Sequence, residues 1–161
     1  MPSSETLTLA GDQATRLLGE ALGRALSAGA IVALCGDLGA GKTTLTQGLA
    51  IGMGLPASAR VTSPSYNLVC TYPTHPPLHH LDLYRLTHSD ELFELGFDDL
   101  INGNGVVVVE WADRFPASFP AETLWIRLEW VDEAHRLATL GPAPLPAPIL
   151  ALIESLRREA Q

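Results

Sequence analysis

Residues 36 to 43 read GDLGAGKT, directly after the apolar run AIVALCG at 30 to 36 and directly before a segment of helical character ending near Gly54 and Pro56. No other stretch restricts the fold as much. The pattern GxxxxGK[ST] works only between a strand and a helix, and both flanks fit. An unbroken apolar strand is one buried on both faces, as in a sheet covered by helices on either side. Glycines at 36, 39 and 41 permit positive φ and leave no Cβ in the way, so backbone N–H groups of Gly39, Ala40 and Gly41 can converge on a phosphate. The helix N-terminus adds its own free N–H groups and dipole. Lys42 then reaches the β and γ phosphates as a point charge, and the Thr43 hydroxyl can bind Mg2+. Thr44 offers a second hydroxyl, either near the α phosphate or on the helix surface.

The remaining segments alternate strands and helices. ETLTLA at 5 to 10 has strand periodicity and is broken by Gly11. Asp12 can cap a helix whose apolar face carries Leu18, Ala21, Leu22, Ala25 and Leu26. NLVCTY, the turn PTHPP and LHHLDLYRL suggest an antiparallel strand pair. Ser89 and Asp90 open a helix through ELFELGFDDL, INGNG turns into VVVVEW, and TLWIRLEWV and HRLATL read as two more strands. The expected fold is α/β: a three-layer P-loop NTPase-like domain with a mixed parallel and antiparallel sheet flanked by helices. The 161 residues suit a single domain, with 47% apolar content to fill one core. Residues 143 to 161, a Pro-rich link and a last helix, read at worst as a loosely attached appendage with no assigned role.

Charge and cysteine content exclude several classes. Ten basic against eighteen acidic residues give a net charge of −8. With no basic patch in the sequence, this argues against an autonomous nucleic-acid-binding protein. Cys35 and Cys70 lie in apolar runs without CxxC spacing and read as buried free thiols rather than a disulfide or zinc site. The N-terminal segment has no targeting pattern and no apolar run approaches a membrane span, so a cytoplasmic protein is expected.

A nucleotide-hydrolysing site also needs carboxylates to complete a Mg2+ shell and orient water. Glu110 closes the run VVVV at the carboxyl end of a buried strand, where open α/β sheets form their ligand crevices. In LHHLDLYRL, strand alternation sends His80, Asp82 and Tyr84 to one face, and Leu81 and Leu83 to the other. That polar row faces either solvent or a cleft. His79 and His80 point oppositely, which removes the pair as joint zinc ligands. Arg85 is expected on the face opposite the row. Asp98 and Asp99 decorate a helix end, VTSPSY at 61 to 66 reads as an ordinary turn, and Trp111 reads as a core residue more than as a shield for the site.

In combination, GDLGAGKTT, VTSPSY, HLDLYRL, ELGFDDL and VVVVEW resemble the TsaE family of small bacterial P-loop ATPases, over about residues 5 to 140. The resemblance implies ATP and Mg2+ as cofactors. It also implies action with the TsaB and TsaD proteins in threonylcarbamoyl modification of tRNA adenosine 37, with tRNA met only through that complex. Position by position, Lys42 holds phosphates, Thr43 and Glu110 bind Mg2+, and Asp82 positions the metal or the attacking water. Thr62 and Ser63 fall in a switch-like loop, where SPSY carries Ser65 at a position commonly threonine. His80, Tyr84, Arg85 and Trp111 match the family's cleft motif, while Asp12 and Arg136 match nucleotide-contacting positions. Two rival readings use the same loop: a small-molecule or nucleotide kinase, and a non-hydrolysing module whose partner interface is gated by nucleotide.

Overall fold

A computed structural model describes residues 4–64, 66–142 and 145–159. Its centre is a pair of parallel strands, β2 (Ile31–Cys35) and β5 (Val106–Glu110), in which every residue is buried. Successive side chains alternate between faces. Val32, Leu34, Val106 and Val108 therefore enter one apolar layer, and Ala33, Val107 and Val109 the other.

Five more strands complete one sheet: β1 (Glu5–Ala10), β3 (Val69–Tyr72), β4 (Leu78–Asp82), β6 (Leu124–Trp130) and β7 (His135–Gly141), in the order β1-β7-β6-β2-β5-β4-β3. The three pairings around β2 and β5 (β6 with β2, β2 with β5, β5 with β4) are parallel, and the outer three are antiparallel. The expected mixed sheet is present, including the β3–β4 pair.

Helices α1 (Gly11–Ala25), α2 (Lys42–Gly52) and α5 (Ala147–Glu159) cover one face, with Leu18, Leu22, Leu45, Leu49, Ile149 and Ile153 buried in the layer between. Each such leucine or isoleucine contributes about 1.5–3 kcal/mol relative to an exposed side chain. Leu92 and Phe97, from the short helices α3 (Asp90–Glu94) and α4 (Phe97–Ile101), close the opposite face. α1 and α2 touch backbone to backbone: a Cβ added at Gly48 would lie 2.1 Å from the Arg16 carbonyl oxygen, and one at Gly19 would lie 2.2 Å from that of Leu45.

Three expectations change. The helix expected through residue 100 is broken at Gly96, which takes φ +76°. Ser89 makes no side-chain cap there; instead Glu91 accepts hydrogen bonds from the Thr87 hydroxyl and from the Thr87 and His88 N–H groups. Those bonds hold the Glu91 carboxyl below its usual range. Nor is the last helix an appendage. Ile149 and Ile153 are buried, and Arg157 pairs with Glu5 at 3.0 Å and donates to the Thr6 carbonyl. Of the two thiols, Cys35 is buried but Cys70 only half-buried. Residues 143 and 144 of the link, and residues 160 and 161, lie outside the described residues.

Candidate functional site

β2 delivers the chain into the glycine-rich loop, and α2 carries it away. Gly36 has φ +146°, and a Cβ there would meet the Leu128 carbonyl oxygen at 2.5 Å. Gly41, at φ +109°, supplies the left-handed turn from which α2 begins at Lys42. Both positions need glycine for these reasons. The loop borders a cavity of about 500 Å3, whose lining includes Gly39, Gly41, Lys42, Thr43, Thr44, Ser63, Asp82, Glu110, Trp111 and Arg136. That volume suits a small-molecule ligand.

Strand register assembles the acidic side. β4 and β5 run parallel with Asp82 opposite Glu110, so both carboxylates stand at the carboxyl ends of their strands. Alternation turns Glu110, Asp82 and His80 toward the face that α2 covers. The Thr43 hydroxyl donates to Glu110, 3.1 Å from Oε1 and 3.3 Å from Oε2. His80 Nε2 lies 2.5 Å from Glu110 Oε2. Asp82 accepts from the Ser63 hydroxyl through Oδ2 and from the Tyr84 N–H through Oδ1 at 2.9 Å. His80, Asp82 and Glu110 are all buried, so the polar row of LHHLDLYRL faces a cleft. His79 points the other way and pairs with the Thr71 hydroxyl.

Lys42 is buried, with Nζ donating to the carbonyls of Gly36 (2.5 Å) and Asp37 (3.0 Å). Burial lowers its pKa, against the opposing pull of Glu110 and Asp82. The ammonium also sits 4.0 Å from the centre of the Trp111 ring, a cation–π arrangement. Trp111 adopts φ +60°, which costs about 1–2 kcal/mol in a non-glycine residue. That turn carries the indole off β5 and onto the lysine. Trp111 both packs on the second apolar layer and walls the cavity, so core packing alone does not describe it.

Strand β4 ends at Asp82, and alternation has no hold on the residues beyond it. Tyr84 lies in the succeeding turn with its ring 4.9 Å from that of Trp111. Arg85, expected on the opposite face, borders the same cavity and stacks over Tyr66 at 4.7 Å. Asp12 does not cap α1: the cap position is Ala10, and Asp12 instead pairs with Arg136 at 3.0 Å. Arg136 in turn lies 4.3 Å from the centre of the Trp130 ring. Thr44 borders the cavity. Of the expected site residues, Ala40 is buried within the loop, while Thr62 lines a separate hollow of about 430 Å3 with Arg16 and Arg60. Asp98 and Asp99 sit in the first turn of α4. Ser65 lies outside the described residues.

The donors gathered here are a hydroxyl and two carboxylates. That is an oxygen-only set suited to a hard cation completed by phosphate and water. Among the described residues, no group of three His, Cys, Asp or Glu side chains is arranged to hold a metal ion. A cation held by Thr43, Glu110 and Asp82 would therefore need phosphate or water to complete its shell.

The family model described as "Threonylcarbamoyl adenosine biosynthesis protein TsaE" matches residues 9–138, most of the chain. The chain belongs to the TsaE family. Similar proteins named tRNA threonylcarbamoyladenosine biosynthesis protein TsaE occur in Nostoc sp. (40% identical, covering 83% of each chain). Another is that of Treponema pallidum (36% identical, covering 80% of this chain and 94% of the relative). The crystal structure of Bacillus subtilis YdiB superposes with a TM-score of 0.76 at 28% identity, covering all of this chain and 99% of that one.

For this TsaE-family chain, the motif reading missed two features around the cleft. One is the glycine seam between α1 and α2; the GxxxG spacings Gly19/Gly23 and Gly48/Gly52 were the available signal. The other is Arg114, which lies over the rings of Tyr84 and Trp111 at 5.4 and 6.0 Å. No sequence pattern marks it.

Proposed function

We propose that this TsaE-family chain binds and hydrolyses ATP with Mg2+, and so supports a TsaB and TsaD complex in threonylcarbamoyl modification of tRNA adenosine 37. The observation that carries the reading is the Thr43–Glu110 contact at 3.1 Å, at the head of α2 and beside Lys42. A glycine loop that merely turned the chain has no reason to bring a buried carboxylate of a neighbouring strand onto its terminal hydroxyl.

Each side chain then has a task. Backbone N–H groups from Gly39 to Gly41 and the α2 N-terminus cradle the phosphates. Lys42 exchanges its loop carbonyls for phosphate oxygens, and Trp111 covers the lysine and limits water. Thr43 and Glu110 would hold the cation, whose chemistry there would be neutralisation of phosphate charge. Asp82, fixed by Ser63 and the Tyr84 N–H, orients water and ties Ser63 to the reacting end. Asp12 and Arg136, paired beside Gly41 on the wall of the same cavity, contact the nucleotide. The net charge of −8 makes direct tRNA binding unfavourable, so the RNA is met through the partners. No helix among the described residues is long and apolar enough to cross a membrane.

A structure with ATP analogue and Mg2+ tests this assignment. The expected result puts Glu110 or Asp82 within one water of the ion and Lys42 on the phosphates. Nucleotide bound away from the loop would overturn it.

A further inference from the structure

His80 is wholly buried, and its Nε2 lies 2.5 Å from Glu110 Oε2. Its Nδ1 is buried with no hydrogen-bond partner among the described residues. A carboxylate oxygen only accepts, and a neutral imidazole carries one N–H, which this short contact to Glu110 requires on Nε2. The imidazole proton therefore belongs on Nε2, donating to Glu110. That bond engages one carboxylate oxygen and leaves Oε1 as the one closer to the Thr43 hydroxyl. His80 occurs two residues before Asp82 on β4 and reaches across to the end of β5, so the two strands share one polar unit.

Resting on the cation reading above, we infer that His80 is a positioning residue that sets which face of the Glu110 carboxylate meets the divalent ion. Its side chain does not line the cavity and acts through Glu110. A carboxylate with both oxygens unrestrained can rotate about its last bond, and a partner on one oxygen removes that freedom. Such outer partners of a metal ligand typically change metal affinity by about 10–100-fold.

A Mn2+ titration in the presence of ADP, followed by electron paramagnetic resonance, tests this without requiring turnover. H80L removes the donor while keeping an apolar filler of similar size, and H80Q returns an N–H donor on a side chain of comparable reach. H79Q alters the opposite face of the same strand. H80L is expected to weaken Mn2+ binding by about 10–100-fold, H80Q to recover to within about threefold, and H79Q to match the unaltered protein. Thermal melts of all three establish that they are folded, and H80Q carries the test should H80L not fold. Mn2+ affinity in H80L within about twofold of the unaltered protein would overturn the inference alone. An H80Q variant that is folded but as weak as H80L would also overturn it. Failure of the unaltered protein to bind Mn2+ with ADP would overturn the cation reading, and this inference with it.

Discussion

Gly48→Ala is the sharpest structural perturbation available, because it acts on the helix that carries Lys42 and Thr43 without touching either. An alanine Cβ at 48 would stand 2.1 Å from the Arg16 carbonyl oxygen, 2.9 Å from its carbon and 3.1 Å from its Cα. Ordinary contact begins near 3.4 Å, so α1 and α2 must separate locally by about 1.3 Å. Helix propensity favours alanine over glycine by about 1 kcal/mol. Against that gain, overpacking a tight contact costs typically about 1–3 kcal/mol and occasionally more. Here the obstructing atoms are rigid backbone, which selects the upper end, so the expected net loss is about 2 kcal/mol. At roughly 2–4 °C per kcal/mol for a chain of this size, the thermal midpoint should fall by about 4–8 °C in a circular-dichroism melt. Fluorescent-nucleotide titration should also show weaker binding, since the loop and α2 move together. A G48A protein that melts at or above the unaltered one would refute the backbone-contact reasoning.

The same geometry sets other expectations. Ile153→Ala should lower urea-derived stability by about 2–5 kcal/mol, because Ile153 lies on the buried face of α5; an unchanged midpoint would make α5 the appendage its link suggests. Burial raises the Cys35 thiol from 9.0 to about 11, so its thiolate is about a hundredfold scarcer near pH 8. Mass spectrometry after brief iodoacetamide treatment should therefore find half-buried Cys70 alkylated first. Burial lowers the His79 pKa from 6.5. Below about pH 6.5 the unfolded chain takes up a proton that the folded imidazole refuses until lower pH, so stability falls as pH drops through that window. H79Q should flatten the urea midpoint between pH 7 and pH 5, and an equally steep H79Q profile would exclude this histidine as the source.

The sequence was most legible where local pattern and tertiary role coincide. Unbroken apolar runs marked β2 and β5 because both strands are buried on both faces, and the glycine pattern marked the turn between β2 and α2. Alternation sent His80, Asp82 and Tyr84 toward one cleft but misplaced Arg85, which lies in the turn after β4 stops at Asp82 and borders that same cleft. Asp12 shows the limit of capping rules: its carboxylate is drawn to Arg136 on β7, the strand paired with β1, a contact that no local pattern contains. Pairings such as Thr43 with Glu110 and His80 with Glu110 depend on parallel register, which is set by the packing of the whole sheet. The docking of α5 was hidden for a similar reason. A Pro-rich link reads as flexible tether, while α5 finds its partners on α1 and β1.

We propose that the cleft formed by the glycine loop, Thr43 and Glu110 performs Mg2+-dependent ATP hydrolysis on behalf of the TsaB and TsaD complex. Phosphate release measured with the assembled complex, comparing the unaltered chain with Glu110→Ala, tests it directly. Removing one preorganised charge-stabilising group acts on a scale of about 100-fold, so E110A should lose about that much Mg2+-dependent activity while keeping its fold and its place in the complex. Undiminished phosphate release by E110A would contradict the account.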